Sequence, residues 1–310
     1  MELLRDIAGD GYPTDYIVAR VRARGTRLTR DWRAVSAQRP AQAASDEAIW
    51  DGLLQEFEWL YLQMDRHMRT RLAPVFALFE IKTLVLCLRN ASGGRREANE
   101  RLLHHSLLAD GIKEALQGGV DMPAAMRALA AAAAPVLGEA AALEQGYAEG
   151  GLREVETRLM RNYLASVVAL QLAPPVRAFF VGFIDLRNVM TLYKHLRWQI
   201  ADEPSVIPGG SIDPARLREA CSSGSPGGLD VMVREVIGRT APPLAAGETA
   251  LETVLLGDMT RRLRAKVGED GDVGLLLDYA WRLYVEARNR AIVLHAGGVD
   301  PATLARELIA

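Results

Sequence analysis

The 310-residue chain is 49% hydrophobic and 25% charged, with a formal net charge of −2, which excludes a disordered polymer and a protein held to nucleic acid by bulk positive charge. Aromatic residues make up only 6% while Ala and Leu are abundant, so helices are favoured and the expected fold class is all-α. Cys87 and Cys221 are the two cysteines; they supply no disulfide framework and suit a reducing compartment.

The start Met1-Glu2-Leu3-Leu4-Arg5-Asp6 lacks the basic and apolar regions of a signal peptide. No uncharged apolar run reaches the roughly twenty residues that span a bilayer, so the chain is expected to be soluble, with no direct membrane span. From Tyr16 to Arg33 the sequence predicts a helix carrying Arg20, Arg22, Arg24, Arg27, Arg30 and Arg33. Arg20, Arg24 and Arg27 share one face, which suits either a solvated surface or a stripe for phosphate or an acidic partner. Ser45 to Met68 predicts a second helix with Ile49, Leu53, Leu54, Phe57, Leu60, Tyr61 and Met64 on its inner side. Pro74 opens or kinks the approach to the next helix, and Ala91-Ser92-Gly93-Gly94 ends that unit.

Further helices are expected over Leu107 to Gln117, closed by Gly118-Gly119, then over Asp121 to Pro135 and Leu152 to Val176. The segment from Ala201 to Gly210, with Pro204, Pro208, Gly209 and Gly210, is the clearest boundary. Asp213-Pro214 and Asp300-Pro301 each read as a helix N-cap followed by proline at the first helical position. The second pair suggests the beginning of a fourth unit. Glu248 to Ala265 and Gly274 to Ala296 complete the long helices, and no segment alternates with the period of a strand.

One pattern recurs three times. Glu80-Ile81-Lys82-Thr83-Leu84-Val85-Leu86-Cys87-Leu88-Arg89 runs acid, any residue, Lys or Arg, Thr or Asn, five mostly apolar residues, then a base. Asp185-Leu186-Arg187-Asn188-Val189 through Lys194 and Glu286-Ala287-Arg288-Asn289-Arg290 through His295 repeat it. The acids lie 105 and 101 residues apart, so the chain reads as three units of roughly a hundred residues, 1–100, 101–205 and 206–310. At about 100° per residue, Phe76, Ile81, Leu84, Cys87 and Leu88 fall on the arc that holds Glu80, whereas Lys82 and Arg89 lie opposite. Val181, Leu186, Val189, Leu192 and Tyr193 surround Asp185 in the same way, with Arg187 and Lys194 outside.

Each unit therefore sets a carboxylate in its apolar face, where losing water costs several kcal/mol unless donors meet it. For Glu286 the donors expected are Arg282 and Arg290, one turn to either side. For Glu80 and Asp185 the donor must come from another helix or a helix N-terminus. Three like groups in like settings favour structural ties over a proton relay or a catalytic carboxylate set.

Phosphate loops, dinucleotide fingerprints and H-E-x-x-H are absent, and no serine sits in a nucleophile elbow. His67, His104, His105, His195 and His295 lack partners at metal-ligand spacing. No catalytic residue, metal or cofactor is expected, and a scaffold or coupling protein is the better reading. One form of it is a helical-repeat adapter that binds acidic partners.

The segment Tyr16-Ile17-Val18-Ala19-Arg20-Val21-Arg22-Ala23-Arg24, with Phe79-Glu80-Ile81-Lys82-Thr83-Leu84, Phe183-Ile184-Asp185-Leu186-Arg187-Asn188 and Glu286-Ala287-Arg288-Asn289, resembles the C-type subunits of the V/A-type rotary ATPases, the counterparts of the d-type subunits of the vacuolar enzymes. The resemblance spans nearly the full chain. It implies a funnel of three helical units about a pseudo-threefold axis, standing peripherally on the cytoplasmic side of the membrane. Its implied partners are the proteolipid rotor ring and the central shaft, with no nucleic acid. In that setting Arg20, Arg24 and Arg27, or the outer bases Lys82, Arg187 and Arg288, would contact partners.

Overall fold

The computed structural model describes residues 3–32, 34–35, 45–95, 97–117 and 122–309. Among them are thirteen α-helices and no strand; a single bridge joins Leu4 to Leu108. The helices are α1 (Thr14–Gly25), α2 (Asp46–Gln63), α3 (Arg66–Ser92), α4 (Glu97–His104), α5 (Asp110–Gln117), α6 (Met122–Leu137), α7 (Ala140–Val168), α8 (Pro174–Trp198), α9 (Pro214–Ser222), α10 (Pro226–Ile237), α11 (Glu248–Lys266), α12 (Gly271–His295) and α13 (Pro301–Glu307). The three copies of the recurring pattern lie in α3, α8 and α12, of 27, 25 and 25 residues.

The chain divides into two compact units, one of Met1–Ala23 with Ser45–Gln171 and the other of Arg24–Ala44 with Leu172–Ala310. In the first, Phe57 of α2 stacks on Phe79 of α3 at 4.8 Å and meets Phe76 edge-on at 5.6 Å. In the second, Phe179 of α8 meets Trp281 of α12 edge-on at 5.6 Å, and the Trp281 indole N–H donates to Thr260 Oγ1 at 2.9 Å. A buried tryptophan keeps its large apolar area out of water only if that N–H finds such an acceptor.

Several expected boundaries move, each for a visible reason. The helix expected over 16–33 stops at Gly25, with Arg33 outside the described residues. Arg27 N–H donates to Arg24 O in the turn that follows. The helix expected over 45–68 is two helices, because Asp65 caps α3 by accepting from Met68 N–H at 2.8 Å and from Thr14 Oγ1 at 2.8 Å. Pro74 sits inside α3 rather than at its opening, buried, with its carbonyl bonded by the Tyr163 hydroxyl. The stretch 107–109 is extended and α5 begins at Asp110; it pairs with the N-terminal segment through Arg5 N–H to Leu107 O and Ala109 N–H to Leu3 O. Gly118, Gly119 and Asp121 lie outside the described residues.

Helix α7 is interrupted at Gly151, whose φ of 63° places it in the left-handed region, so the expected start at Leu152 coincides with a real break. The helix ends at Val168, short of the expected Val176, because Ala173 before Pro174 is extended and Pro174 starts α8. Asp213 and Asp300 are N-caps as expected, accepting from Ala215 N–H and from Ala302 and Thr303 N–H.

Candidate functional site: a recurring carboxylate latch

The three pattern acids are 1%, 3% and 8% exposed for Glu80, Asp185 and Glu286. Burial follows from the helix period, which sets each acid among the residues that pack inward. Their partners are alike. Ser106 Oγ donates to Glu80 Oε2 at 2.7 Å and Leu107 N–H donates to Oε1 at 2.5 Å. Ser211 Oγ donates to Asp185 Oδ2 at 2.6 Å, while the N–H groups of Ser211 and Ile212 donate to Oδ1 at 2.8 and 3.2 Å. Thr29 N–H donates to Glu286 Oε2 at 3.0 Å and Thr29 Oγ1 to Oε1 at 3.3 Å.

Each carboxylate thus grips a hydroxyl and at least one backbone N–H of a non-helical segment. In the first two copies the hydroxyl stands 26 residues after the acid. In the third it comes from the other end of the chain, 257 residues before. Thr29 and Ser211 are also each followed two residues later by a capping aspartate: Asp31 accepts from Ala34 N–H at 3.0 Å and Asp213 from Ala215 N–H at 2.9 Å. The helix period carries no sign of Ser106, Ser211 and Thr29; the signals present in the sequence are a hydroxyl 26 residues after the acid in two copies and hydroxyl-x-Asp at Thr29 and Ser211. Arg290 donates to Glu286 at 2.5 Å as expected. Arg282 does not: it faces Asp278 at 3.7 Å and donates to Gly25 O at 3.3 Å.

A second tie follows three residues after the acid in two copies. Asn188 donates through Nδ2 to Ile207 O at 2.8 Å and accepts from Ile207 N–H at 2.9 Å. Asn289 does the same with Ile309 at 2.7 and 3.1 Å. The first copy has Thr83 instead, whose side chain draws the pKa of Glu80 down against the effect of burial. The comparison also places α13 before Ile309 whereas α9 follows Ile207, so the helix at Asp300-Pro301 is not the counterpart of the helix at Asp213-Pro214. The counterpart of the segment leading into α9 is the one through Thr29 and Asp31. Trp32, next in line, is buried with Ala296, Leu304 and Leu308.

Burial raises the pKa of Glu80 and of Asp185 above the ordinary carboxylate range, against the opposing pull of their hydrogen bonds. Burial, with the charge of Glu80 added, pushes the Cys87 thiol up to about 12, which leaves it an unreactive core group. The described residues hold no group of three or more His, Cys, Asp or Glu arranged to bind a metal ion. The acceptor oxygens of Glu80 and Asp185 are taken by protein donors, and the two acids line neither of two clefts seen among the described residues. The geometry suits fastening chain segments, not handling a substrate.

This arrangement repeats at the three acid-bearing segments that carried the resemblance, and a family profile covers all three. The profile of the ATP synthase (C/AC39) subunit matches residues 18–296. The chain belongs to that family. It is therefore part of a V/A-type ATPase complex, in which the C/AC39 family has a structural place. No curated protein matches the chain. No helix among the described residues is long and apolar enough to cross a membrane.

In this C/AC39 family member the six basic residues singled out from sequence are divided between the two compact units. Arg20 is exposed and held in place: it donates to the Tyr16 hydroxyl at 2.6 Å and lies over the rings of Tyr16 and Trp59 at 5.5 and 5.8 Å. Arg24 is half-buried one turn later on α1, and Arg27 is exposed beyond the end of that helix, so no continuous helical stripe joins the three. Lys82 is half-buried and Arg187 exposed. Arg288 is turned inward, with a side chain only 10% exposed, bonded to Glu252 at 3.0 Å and to Glu307 O at 3.2 Å. Its expected role as an outer base fails because a carboxylate and a helix-end carbonyl recruit it.

Proposed function

We propose that this chain is the non-catalytic central-stalk component of a V/A-type rotary ATPase, a socket that couples the central shaft to the proteolipid ring on the cytoplasmic side of the membrane. The observation that carries the proposal is the latch, made three times on three long helices of a C/AC39-family chain. A part that transmits torque must resist shear between its helices and the segments joining them. A carboxylate that holds two or three donors of another segment resists such sliding better than apolar contact, because it fixes direction as well as distance. We read the latches as marking three copies of one helical module, over 1–100, 101–205 and 206–310, arranged as a funnel about a pseudo-threefold axis.

Arg20, Arg24, Arg27, Lys82 and Arg187 remain the proposed contacts, and Arg20, Arg27 and Arg187 are the exposed ones among them. The test is co-purification from detergent-solubilised membranes at low salt, where contacts between exposed charges are strongest. Recovery of ring and shaft proteins with the wild type, reduced by Arg20→Glu and Arg187→Glu together, supports the assignment. Recovery with the peripheral head alone would sink it.

A further inference from the structure

We propose that a cleft in the first compact unit, between residues 4–7 and the first turns of α3, binds an anionic headgroup, phosphate or carboxylate, carried on an apolar body. The cleft has a volume of 790 Å³, within the range of small-molecule sites. Arg5, Arg66 and Arg69 line it, and Asp6 is the one acid in its lining.

Arg69 is the observation that carries the inference. It is 5% exposed, yet no carboxylate among the described residues pairs with it. Nη1 donates to Ile7 O at 3.3 Å, Nη2 donates to Gly9 O, and Nε is buried without an acceptor. Other shielded arginines in the molecule have acids: Arg5 pairs with Glu58, Arg158 with Glu149 and Glu154, and Arg288 with Glu252. Carbonyl oxygens satisfy N–H groups but leave the positive charge of Arg69 uncompensated, a costly state for a shielded ion. Arg66 stands one turn before it on the same face of α3, exposed, with no partner for its guanidinium among the described residues. Two like charges at this spacing repel one another, and an anion between them reverses the sign of that interaction.

The end of α3 is not itself the acceptor site, since Asp65 and Asp10 already occupy the N–H groups of Met68 and Arg66. Beside the arginines, Asp6, Tyr61, Thr70 and Ser166, the lining is apolar: Leu4, Ile7, Ala73, Pro74, Val136 and Leu170. Leu170 is 45% exposed, an apolar side chain that would be covered by the body of an amphiphile. A bare anion would leave it in water.

The test is calorimetric titration of the full chain with three probes: dodecyl phosphate below its micelle concentration, inorganic phosphate, and dodecyl maltoside, which has the same tail and no charge. Dodecyl phosphate is expected to bind, dodecyl maltoside not. Arg66→Glu, a change at an exposed partnerless side chain that leaves folding intact, is expected to weaken dodecyl phosphate by roughly tenfold or more, the loss of one charge-assisted contact. Leu170→Asp is expected to weaken dodecyl phosphate and leave inorganic phosphate unchanged. Sedimentation with phosphatidylcholine vesicles, with and without phosphatidylglycerol, separates the sources: binding that requires phosphatidylglycerol assigns a bilayer headgroup, and dodecyl phosphate binding without sedimentation assigns a free amphiphile. Equal binding of the neutral and anionic detergents, inorganic phosphate as tight as dodecyl phosphate, or an unaltered affinity in Arg66→Glu overturns the proposal.

Discussion

Glu286 near the end of the chain accepts hydrogen bonds from both the backbone N–H and the hydroxyl of Thr29, 257 residues earlier. The last latch is thereby closed with the first part of the chain, and the second compact unit is completed by a segment made long before the rest of it. Replacing Thr29 by Val removes the hydroxyl bond while the N–H remains, at an expected cost of about 1 kcal/mol. Glu286→Ala leaves the N–H and the hydroxyl of Thr29 without their acceptor, with an expected cost of about 3 kcal/mol, while the exposed Arg290 guanidinium returns to water and adds little. Urea unfolding of both variants measures the difference; equal midpoints would show that the carboxylate is not what holds this segment.

Asp185 separates charge from hydrogen bonding. An asparagine can accept from the N–H groups of Ser211 and Ile212 with its oxygen and donate to Ser211 Oγ with its amide, so Asp185→Asn is expected to cost about 1 kcal/mol or less. Asp185→Ala leaves three donors unmet and is expected to cost about 3 kcal/mol. Similar losses for the two variants would mean that the ionised group, rather than its acceptors, matters.

Gly210 marks how closely the backbone approaches this latch. A Cβ on residue 210 would stand 2.3 Å from Asp185 Oδ1 and 3.1 Å from Ile184 Cγ2. Gly210→Ala is therefore expected to lose about 1–3 kcal/mol through displacement of the segment. The same substitution in an Asp185→Ala background is expected to cost less, because the atom it strikes is gone. Additive costs in that double-mutant cycle would place the strain elsewhere.

Two acids are expected to give opposite pH slopes. Burial raises the native pKa of Glu80, so the folded state keeps its proton to higher pH than the unfolded chain does. Its contribution favours folding on the acid side and is lost as pH rises from the unfolded value near 4.5 through the raised native value. Glu58 behaves in the reverse sense. Burial pushes its pKa up, but hydrogen bonds from His105 at 2.6 Å and Arg5 at 2.7 Å outweigh it and the net shift is downward. Its stabilisation is present above the unfolded value and is lost as pH falls through the lowered native one. Stability profiles of Glu80→Gln and Glu58→Gln against the wild type check both signs; a Glu80→Gln difference that is flat with pH would contradict the first.

Much of this fold was legible in the sequence. The spacing of apolar residues around Glu80, Asp185 and Glu286 placed those acids on inward faces, because a helix of 3.6 residues per turn settles which side chains share a face without reference to anything distant. The N-caps at Asp213 and Asp300 were legible for the same local reason. The i,i+4 partner Arg290 was legible too, but its mirror image Arg282 was not, since nothing within the helix says that Asp278 and Gly25 O would compete for it.

What the amino-acid order determined by itself was the helical period, the caps, the recurrence of an acid in an apolar setting and the family the chain resembles. Tertiary structure alone decided that Thr29 fills the place Ser106 and Ser211 fill elsewhere, that Arg288 turns inward to Glu252, and that Arg69 is buried with no carboxylate among the described residues paired to it. The physical reason is range. Helix formation and capping are governed by neighbours within about four residues, whereas the partner of a buried charge is whichever donor the packing of distant segments brings within hydrogen-bond reach.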